Sequence, residues 1–395
     1  MTDDINQQTL DFISQHQYDD VRQLALQGSK DPAVDMPMAL QQIAGRQTAR
    51  KKLPSWAAIE GVLYPPHLNM EQCSSEQTAR YKALVVGSGD SFVDLTGGFG
   101  VDFYWIAQGF QHSQYVEQNE ALCAIAEHNF SLLGLPSSVS CANSAAYLTQ
   151  MDHASLIYLD PARRNEQGAR TYGIEDCTPN VLELLPLLME KADRVLLKLS
   201  PMLDWRKAVS DLHYVREVHI VSVDNECKEL IIQMNKEAQG VRVACVNLLS
   251  KGENQVFDFF EGHSTLHTPH STLHTPHFLY EPNASIMKAG CFDQLEQRFP
   301  VRQLSANSHL FVSPDEIDDF PGRRFQISTV TTMNKKELKQ SLAGITQANI
   351  AVRNFPMSVH QLRQKLKLKE GGDVYIFATT AHDGTHQLYI CRKIG

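Results

Sequence analysis

A glycine-rich turn between a predicted strand and a predicted helix is the strongest chemical feature of this sequence. The turn follows residues 92–95 and contains Thr96, Gly97, Gly98 and Gly100. Glycine lets a backbone approach a ligand closely, and the first turn of the following helix offers unpaired N–H groups. Turns of this kind bind dinucleotides or S-adenosylmethionine. The dinucleotide pattern G-x-G-x-x-G fails here, because its third glycine, counted from Gly98, is Phe103.

Three polar side chains stand beside the turn or at the ends of the next strands. Asp94 directly precedes the turn, where a carboxylate opposes a pyrophosphate but attracts the ammonium group of a methionine moiety. Glu117 ends the second predicted strand, and a carboxylate there accepts two hydrogen bonds from ribose hydroxyls. Asn143 follows the third strand, where its amide suits the edge of an adenine. These positions favour S-adenosylmethionine over a dinucleotide.

The segment Asp160-Pro161-Ala162-Arg163-Arg164 follows the fourth predicted strand. Ligands of open α/β sheets bind beyond the carboxyl ends of the strands, so we expect the reacting group here. The Asp-Pro step turns the chain outward, and carbonyls after the proline can accept hydrogen bonds from an exocyclic amine. Arg163 and Arg164 could clamp a phosphate or stack on a base; a plain surface pair is the alternative.

These residues require a sheet that brings the ends of its strands together. From residue 91 to about residue 249, short apolar runs alternate with helical stretches, which predicts a parallel sheet covered by helices on both faces. The last two runs lie close together, which favours one antiparallel strand. The predicted strand cores are 92–95, 115–117, 138–141, 156–159, 195–198, 218–221 and 230–233. Residues 1–85 show the apolar spacing of helices.

A tandem repeat follows this region. Residues 264–270 and 271–277 both read Ser-Thr-Leu-His-Thr-Pro-His, which is typical of a tolerated loop insertion. Its His-x-x-His pairs could hold a metal, but a flexible backbone with prolines opposes a fixed tetrahedral site, so we expect no metal. From residue 278 a second pattern of short helices and strands begins. It ends in a predicted hairpin whose turn is Asp383-Gly384.

Charge is distributed unevenly along the 395 residues. The net charge is −9, yet residues 321–395 hold twelve Lys and Arg against four Asp and Glu, so the remaining 320 residues carry −17. A basic module on an acidic body is typical of enzymes that hold a polyanion with a separate domain. Lys365, Lys367 and Lys369 are the candidates for phosphate contacts. The alternative is that they form the solvated face of a helix.

The composition argues against several other classes of protein. The eight cysteines are scattered without a C-x-x-C pair, which opposes a disulfide scaffold or a zinc ribbon. No apolar run approaches the ~18 residues of a membrane span, and the N-terminus is polar, unlike a signal peptide. We therefore expect a cytoplasmic protein with no membrane partner. The oligomeric state is not indicated.

The order of these motifs resembles that of class I S-adenosylmethionine-dependent methyltransferases. The similarity is closest to a bacterial subfamily that carries a C-terminal THUMP-like domain, and it extends over about residues 50–395. Further segments that carry the resemblance are 64–82, 197–204, 225–230, 280–290 and 353–358 together with 372–375.

The resemblance implies a Rossmann-like α/β sheet, mostly parallel with one antiparallel strand. It implies an N-terminal helical region (1–85), a methyltransferase domain (86–250), a linker (251–277), a ferredoxin-like module (278–320) and a basic THUMP-like domain (321–395). It also implies S-adenosylmethionine as the cofactor and RNA as the partner. The residues implied to hold the methionine end are Asp94, Thr96, Gly97, Gly98 and Gly100. Glu117 would hold the ribose, and Gln72, Ser75 and Glu76 resemble a segment that closes over the cofactor.

Two departures from related enzymes bear on the reaction. Amino-directed methyltransferases carry a second proline and then an aromatic residue after Asp-Pro, where this chain has Ala162 and Arg163. Uracil-C5 enzymes place a nucleophilic cysteine before a proline after the fifth strand, where this chain has Ser200-Pro201, and a serine is a poor nucleophile for that route.

We accordingly expect transfer of a methyl group to a nitrogen of an RNA base. Asp160, Pro161 and Arg163 are the expected catalytic residues, and Arg164, Lys198 and Ser200 are expected to contact the substrate. Two alternatives are a methyltransferase for a small molecule or protein and an RNA-binding protein without catalysis.

Overall fold

The chain divides into two compact units. The computed structural model describes residues 5–162, 173–237, 239–262 and 276–394. The first unit comprises Met1–His219 and Lys228–Val241, and the second comprises Ile220–Cys227 and Arg242–Gly395.

The first unit begins with helices, as the apolar spacing of residues 1–85 predicts. They are α1 (Gln7–His16), α2 (Val21–Gln27), α3 (Met36–Lys52), α4 (Pro54–Ala57), α5 (His67–Gln72) and α6 (Glu76–Val86). Polar N-caps start several of them: Asp35 accepts a hydrogen bond from Met38 N and begins α3. The buried Trp56 packs edge-on against Phe99, which joins this helical region to the glycine turn.

A mostly parallel sheet follows. Its strands are β1 (Gly89–Asp94), β2 (Phe110–Glu117), β3 (Ser138–Cys141), β4 (Ala154–Leu159), β5 (Ala192–Leu199), β6 (Val215–Val223) and β7 (Glu226–Met234). The order is β3-β2-β1-β4-β5-β7-β6; β1 to β5 are mutually parallel, and β7 runs antiparallel to β5. This confirms the expected class I sheet with an antiparallel strand.

The helices between these strands complete the layers. They are α7 (Val101–Ala107), α8 (Glu120–Leu132), α9 (Ser144–Gln150), a short 3-10 helix (Ile174–Asp176), α10 (Val181–Lys191) and α11 (Trp205–Leu212). Strand β4 is buried on both faces, because helices cover both sides of the sheet. The strand order reverses between β1 and β4, and such a switch point opens a crevice at the carboxyl ends of the strands.

The second unit contains two antiparallel strands, β8 (Arg242–Leu248) and β9 (Gln255–Phe260), and a separate seven-stranded sheet. The strands of that sheet are β10 (Phe278–Pro282), β11 (Arg302–Gln303), β12 (Phe311–Ser313), β13 (Gly322–Thr332), β14 (Asn349–Arg353), β15 (Val374–Thr380) and β16 (His386–Ile394), in the order β11-β12-β10-β13-β16-β15-β14. Its helices are α12 (Ala284–Ala289), α13 (Phe292–Arg298), α14 (Lys335–Ser341) and α15 (Val359–Leu366). Strand β9 lies inside the stretch 251–277 that the sequence analysis assigns to a linker, and the residues of the repeat up to 275 lie outside the described part.

Both expected features of the C-terminal end are present. Strands β15 and β16 pair antiparallel, and Asp383 accepts a hydrogen bond from Thr385 N in the turn between them, as predicted from Asp383-Gly384. In the second unit, the buried Glu281 of β10 pairs with Arg323 and Arg353, which ties β10 to β13 and β14. Among the described residues, no helix combines the length and the apolar character needed to cross a membrane.

Candidate active site

The backbone of the glycine turn depends on the absence of side chains. A Cβ added to Gly97 would lie 2.1 Å from Cε2 of Tyr115, and one added to Gly100 would lie 2.6 Å from Cζ of Phe130. Gly98 has φ +56°, and the nearest atom to an added Cβ is Thr96 O at 3.8 Å. Gly97 and Gly100 are therefore required by close packing, whereas Gly98 borders open space that a ligand can occupy.

Asp94 is a buried carboxylate beside other carboxylates. Its Oδ1 accepts a hydrogen bond from Thr96 N at 2.9 Å, and the residue is only 1 % exposed. Burial raises the pKa of Asp94 well above the ordinary range of an aspartate. Among nearby charges, Asp102 and Asp160 raise that pKa further. A cation is the ligand group that would stabilise the ionised form of Asp94.

Glu117 ends β2 beside the turn, and two backbone N–H groups orient its carboxylate. Gly98 N donates to Oε2 and Asn119 N donates to Oε1, each at 2.9 Å. Each carboxylate oxygen can accept more than one hydrogen bond, so both oxygens can still accept from a vicinal diol. Tyr115 donates to Gly98 O at 2.6 Å, which holds the turn against β2.

Asn143 lies after β3 but acts locally. Its Oδ1 caps α9 by accepting hydrogen bonds from Ala145 N and Ala146 N, so the amide oxygen is already engaged. The neighbouring Ser144 donates to Leu95 O at 2.7 Å and fixes the start of the glycine turn. The side chain of Asn143 therefore has a capping role in this structure.

The acceptor motif is joined to the glycine turn at the end of β4. Asp160 N donates to Thr96 Oγ1 at 2.6 Å, and the adjacent Pro161 is buried. The backbone of Ala162 pairs with Thr178 through both its N–H and its carbonyl. The Ala162 carbonyl therefore already accepts a hydrogen bond within the chain. Arg163 and Arg164 lie outside the described residues.

Lys198 on β5 binds the acceptor motif itself. Its Nζ donates to Asp160 Oδ2 at 2.6 Å and lies 4.0 Å from Asp102 Oδ2. Burial lowers the pKa of Lys198, but the carboxylates of Asp160 and Asp102 outweigh it and raise that pKa above the usual lysine value. Lys198, predicted to contact the substrate directly, is thus a fixed cation beside Asp160. Ser200 accepts a hydrogen bond from Met202 N in the turn after β5.

Behind Lys198 lies a buried charge cluster that the sequence analysis missed. Lys82 on α6 is fully buried, with its Nζ 2.6 Å from Glu229 Oε1 and 3.1 Å from Asp102 Oδ1. Asp102 Oδ2 accepts hydrogen bonds from Ser74 Oγ and Tyr158 OH, each at 2.7 Å. Burial raises the pKa of Asp102, but Lys82 and Lys198 outweigh it, so the pKa is lowered and Asp102 stays ionised. The sequence signal that could have revealed this cluster is a charged residue, Lys82, at a buried position of α6.

The polar residues of the segment before the sheet make local contacts. Ser75 caps α6 by accepting a hydrogen bond from Thr78 N, and Glu76 binds Ser55 and Arg80. Burial raises the pKa of Glu76, but these hydrogen bonds outweigh it and lower the pKa. Gln72 is exposed at the end of α5. These contacts give Ser75 and Glu76 local structural roles.

The lysine run of the second unit is exposed but only partly helical. Lys365 lies in α15, which ends at Leu366, and Lys367 follows in the left-handed conformation with φ 56°. Lys369 pairs with Gln347 through a β-bridge. The three lysines therefore do not lie on one helical face, because α15 ends before Lys367 and Lys369.

Comparison with known proteins identifies two domains of the second unit and a similar protein of known structure. A ferredoxin-like domain model matches residues 278–321, and a THUMP domain-like model matches residues 322–393. No curated protein matches the sequence. The crystal structure of a "putative methyltransferase" from Porphyromonas gingivalis W83 is 32 % identical, with a TM-score of 0.85 over 98 % of this chain and 97 % of that chain.

Other solved structures resemble one part of the chain. The Pyrococcus abyssi tRNA (uracil-54, C5)-methyltransferase, in complex with S-adenosyl-L-homocysteine, is 13 % identical over 45 % of this chain and 40 % of its own, with a TM-score of 0.30. An rRNA methylase from Streptococcus thermophilus is 13 % identical over 40 % of this chain and 93 % of its own, with a TM-score of 0.30. The full-length similarity to the Porphyromonas protein decides the family. The chain belongs to the class I S-adenosylmethionine-dependent methyltransferases, in the bacterial subfamily with a ferredoxin-like module and a C-terminal THUMP-like domain.

Proposed function

We propose that this protein binds S-adenosylmethionine at the ends of β1 and β2 and transfers its methyl group to RNA. Asp94 would pair with the ammonium group of the methionine moiety, because a cation relieves the unfavourable ionisation of this buried carboxylate. Glu117 would accept hydrogen bonds from the two ribose hydroxyls. The open space beside Gly98 admits the cofactor close to the backbone. The described residues therefore fit the cofactor at three points.

The cofactor supplies an activated methyl group on a sulfonium, and the protein has to align the acceptor with that group. In-line transfer requires alignment more than acid–base chemistry. Thr96 links the cofactor turn to Asp160 through its hydrogen bond, so one residue sets the spacing of the two halves of the site. Asp160, paired with Lys198, stands at the acceptor side and can take up a proton from the acceptor.

RNA is the proposed acceptor because of the C-terminal module. The THUMP-like domain carries the basic surplus of the chain, and Lys365, Lys367 and Lys369 are exposed there. Exposed lysines contact phosphates without reading sequence. An acidic catalytic unit gains affinity for a polyanion through such a module.

The observation that carries the proposal is that two carboxylates lie beside the glycine turn: the buried Asp94 at the end of β1 and Glu117 at the end of the adjacent parallel strand β2. Calorimetry with S-adenosylhomocysteine tests it. We expect Asp94→Ala and Gly98→Val to abolish binding, through loss of the ammonium partner and through strain and obstruction at positive φ. Gly134→Val is the matched control, because Gly134 has φ +68° and its Cβ would meet nothing within 4 Å. Wild-type affinity in the Asp94 and Gly98 variants would refute the cofactor site.

The acceptor class is tested separately. Nucleosides from the RNA of a deletion strain and its parent are compared by mass spectrometry. Loss of one methylated nucleoside in the deletion strain, restored by the wild-type gene but not by the Asp94→Ala gene, supports RNA as the acceptor. An unchanged set of nucleosides together with intact cofactor binding would favour a small-molecule or protein substrate.

A further inference from the structure

The acceptor side of the site holds an ion pair whose ammonium group lies deeper than its carboxylate. Lys198 Nζ lies 2.6 Å from Asp160 Oδ2, and the two side chains are 12 % and 36 % exposed. Asp160 therefore reaches the open crevice, while the ammonium group lies just behind it. Any acceptor atom bound by Asp160 lies within the field of Lys198.

The ammonium group of Lys198 is held in place by charged residues on its buried side. Asp102 lies 4.0 Å from Lys198 and is itself paired with the buried Lys82. Ser74 and Tyr158 donate hydrogen bonds to Asp102, and Glu229 pairs with Lys82. Surrounding carboxylates raise the pKa of Lys198, so it keeps its proton. Lys198 is thus a preorganised cation and is not available as a base.

A fixed cation discriminates between classes of acceptor atom. A neutral nitrogen gains positive charge as it accepts a methyl group. The Asp160 carboxylate alone would stabilise that change, but the ammonium group of Lys198 paired with it offsets this effect. A hydroxyl oxygen becomes more negative as its proton leaves, and an adjacent ammonium group stabilises that change. The ammonium group of Lys198 therefore favours a hydroxyl acceptor over a nitrogen acceptor, because it stabilises the developing negative charge.

The residue that follows Asp160-Pro161 also differs from the pattern of amino-directed enzymes. Its backbone is held by Thr178, whose N–H donates to the Ala162 carbonyl at 2.9 Å. The side chain of Ala162 is a methyl group, which offers no aromatic face for a base. Ala162 itself therefore cannot stack on a base.

We infer that the acceptor is a hydroxyl oxygen, the ribose 2′-hydroxyl of RNA, in place of the base nitrogen expected from the resemblance. This inference rests on the proposed function. The oxygen–carbon bond forms as the sulfur–carbon bond of the sulfonium breaks, and the electron pair of the broken bond remains on sulfur. The hydroxyl proton passes to the Asp160 carboxylate and then to water. Lys198 acts as a positioning and charge-stabilising residue throughout.

The position of the methyl group in the product tests the inference. The nucleoside lost in the deletion strain is fragmented, and the methyl group is located on the sugar or on the base. We expect it on the sugar, and we expect alkali to spare the RNA bond that follows the modified nucleotide, because an O-methylated 2′-oxygen cannot attack the neighbouring phosphate. A methyl group on the base overturns the hydroxyl assignment and leaves the proposed function intact. Loss of no methylated nucleoside overturns both.

Variants of Lys198 test the role of the cation in purified protein. We expect Lys198→Met to lower kcat by about 100-fold or more, the scale of losing one electrostatic stabiliser of developing charge, with KM changed by less than about threefold. Lys198→Arg keeps the charge and should recover part of kcat. Calorimetry with S-adenosylhomocysteine and with a single RNA oligonucleotide provides a readout apart from activity, and both affinities should stay within about twofold of wild type.

A matched control separates this role from a structural one. Lys191 is the last residue of α10 and donates a hydrogen bond to the Met151 carbonyl, so Lys191→Met removes a comparable lysine away from the acceptor. A purely structural role for Lys198 predicts parallel losses of melting temperature, cofactor affinity and kcat, without recovery by arginine. That pattern, or an unchanged kcat in Lys198→Met, overturns the inference.

Discussion

Asp160 N donates a hydrogen bond to Thr96 Oγ1 at 2.6 Å, and this contact joins two loops that are 64 residues apart in sequence. Thr96 belongs to the cofactor turn and Asp160 to the acceptor motif. Because in-line transfer depends on the alignment of donor and acceptor, a single threonine hydroxyl couples the two halves of the site.

Replacing Thr96 with valine tests this coupling. Valine keeps the β-branched shape but removes the hydroxyl acceptor, which leaves Asp160 N without its partner and costs about 1–3 kcal/mol of stability if no water replaces it. We expect kcat on RNA to fall more than the affinity for S-adenosylhomocysteine. Thr96→Ser should stay close to wild type. Thr149→Val is the control, because it removes a hydroxyl that donates to Ala145 O in its own helix. Equal losses in Thr96→Val and Thr149→Val would contradict the coupling.

Cofactor affinity should depend on pH through Asp94. Its pKa in the folded, ligand-free chain is raised by burial, so the protonated form persists at pH values above the ordinary aspartate range. An ammonium ligand requires the ionised form, so affinity should fall as pH falls through that raised pKa, and binding should release a proton. Calorimetry in buffers of different ionisation enthalpy measures the release. Asp94→Asn should bind weakly, with no proton release from this position; an identical pH profile in both proteins would exclude Asp94.

The raised pKa of Asp94 also affects the stability of the folded chain, with the opposite dependence on pH. A carboxyl group whose pKa is higher in the folded chain than in the unfolded chain favours folding at low pH. This contribution is fully present below the unfolded pKa and is lost as pH rises from there through the folded pKa. Asp94→Asn should therefore stabilise the ligand-free protein above that pH. The melting temperature of the two proteins across the acidic and neutral range measures the effect.

Lys82 should contribute strongly to stability. Replacing it with methionine leaves Asp102 and Glu229 as buried carboxylates without their cation, and breaking a buried pair costs about 3–5 kcal/mol. Urea denaturation measures the change. Adding Glu229→Gln to Lys82→Met should recover part of the loss, because one unpaired charge is removed. The exposed Lys51 provides the control, and Lys51→Met should stay within about 0.5 kcal/mol of wild type. A loss below about 1 kcal/mol for Lys82→Met would contradict the ion cluster.

The exposed lysines of the THUMP-like domain should hold RNA through phosphates. Replacing Lys365, Lys367 and Lys369 with alanine should weaken binding broadly across sequences. The slope of log affinity against log salt should fall by roughly 0.7 for each lost contact on single-stranded RNA. Since α15 ends before the last two lysines, we expect one or two contacts to be lost.

A control variant that also loses three positive charges makes the test of RNA binding specific to the THUMP-like domain. Replacing Lys30, Lys51 and Lys236 with alanine removes three exposed lysines from the first unit. This control should leave RNA affinity and its salt slope near wild type, and both triple variants should bind S-adenosylhomocysteine normally. An unchanged slope in the Lys365, Lys367 and Lys369 variant would assign those lysines to solvated surface.

The local sequence pattern was sufficient to predict the strands and the glycine turn of the first unit. The apolar runs, each only a few residues long, marked the strands of the parallel sheet, and the late close pair marked the antiparallel strand. Glycine at 97 and 100 signalled a backbone that admits no side chain, which the packing of Tyr115 and Phe130 explains. The positions of Asp94 and Glu117 followed from the sheet, because adjacent parallel strands end at the same edge.

Tertiary structure alone decided which charged residues face one another. Lys82 and Glu229 are 147 residues apart, and nothing local distinguishes them from the charged residues that most surfaces carry. Their pairing, and that of Lys198 with Asp160, depends on the order in which β4, β5 and β7 lie side by side. The structure also shows that Ser75 and Asn143 cap helices. From sequence alone, a polar residue before a helix is equally consistent with a helix cap and with a ligand-binding residue. Residue type and spacing determine elements, whereas the electrostatics of a site depend on which distant side chains the fold buries together.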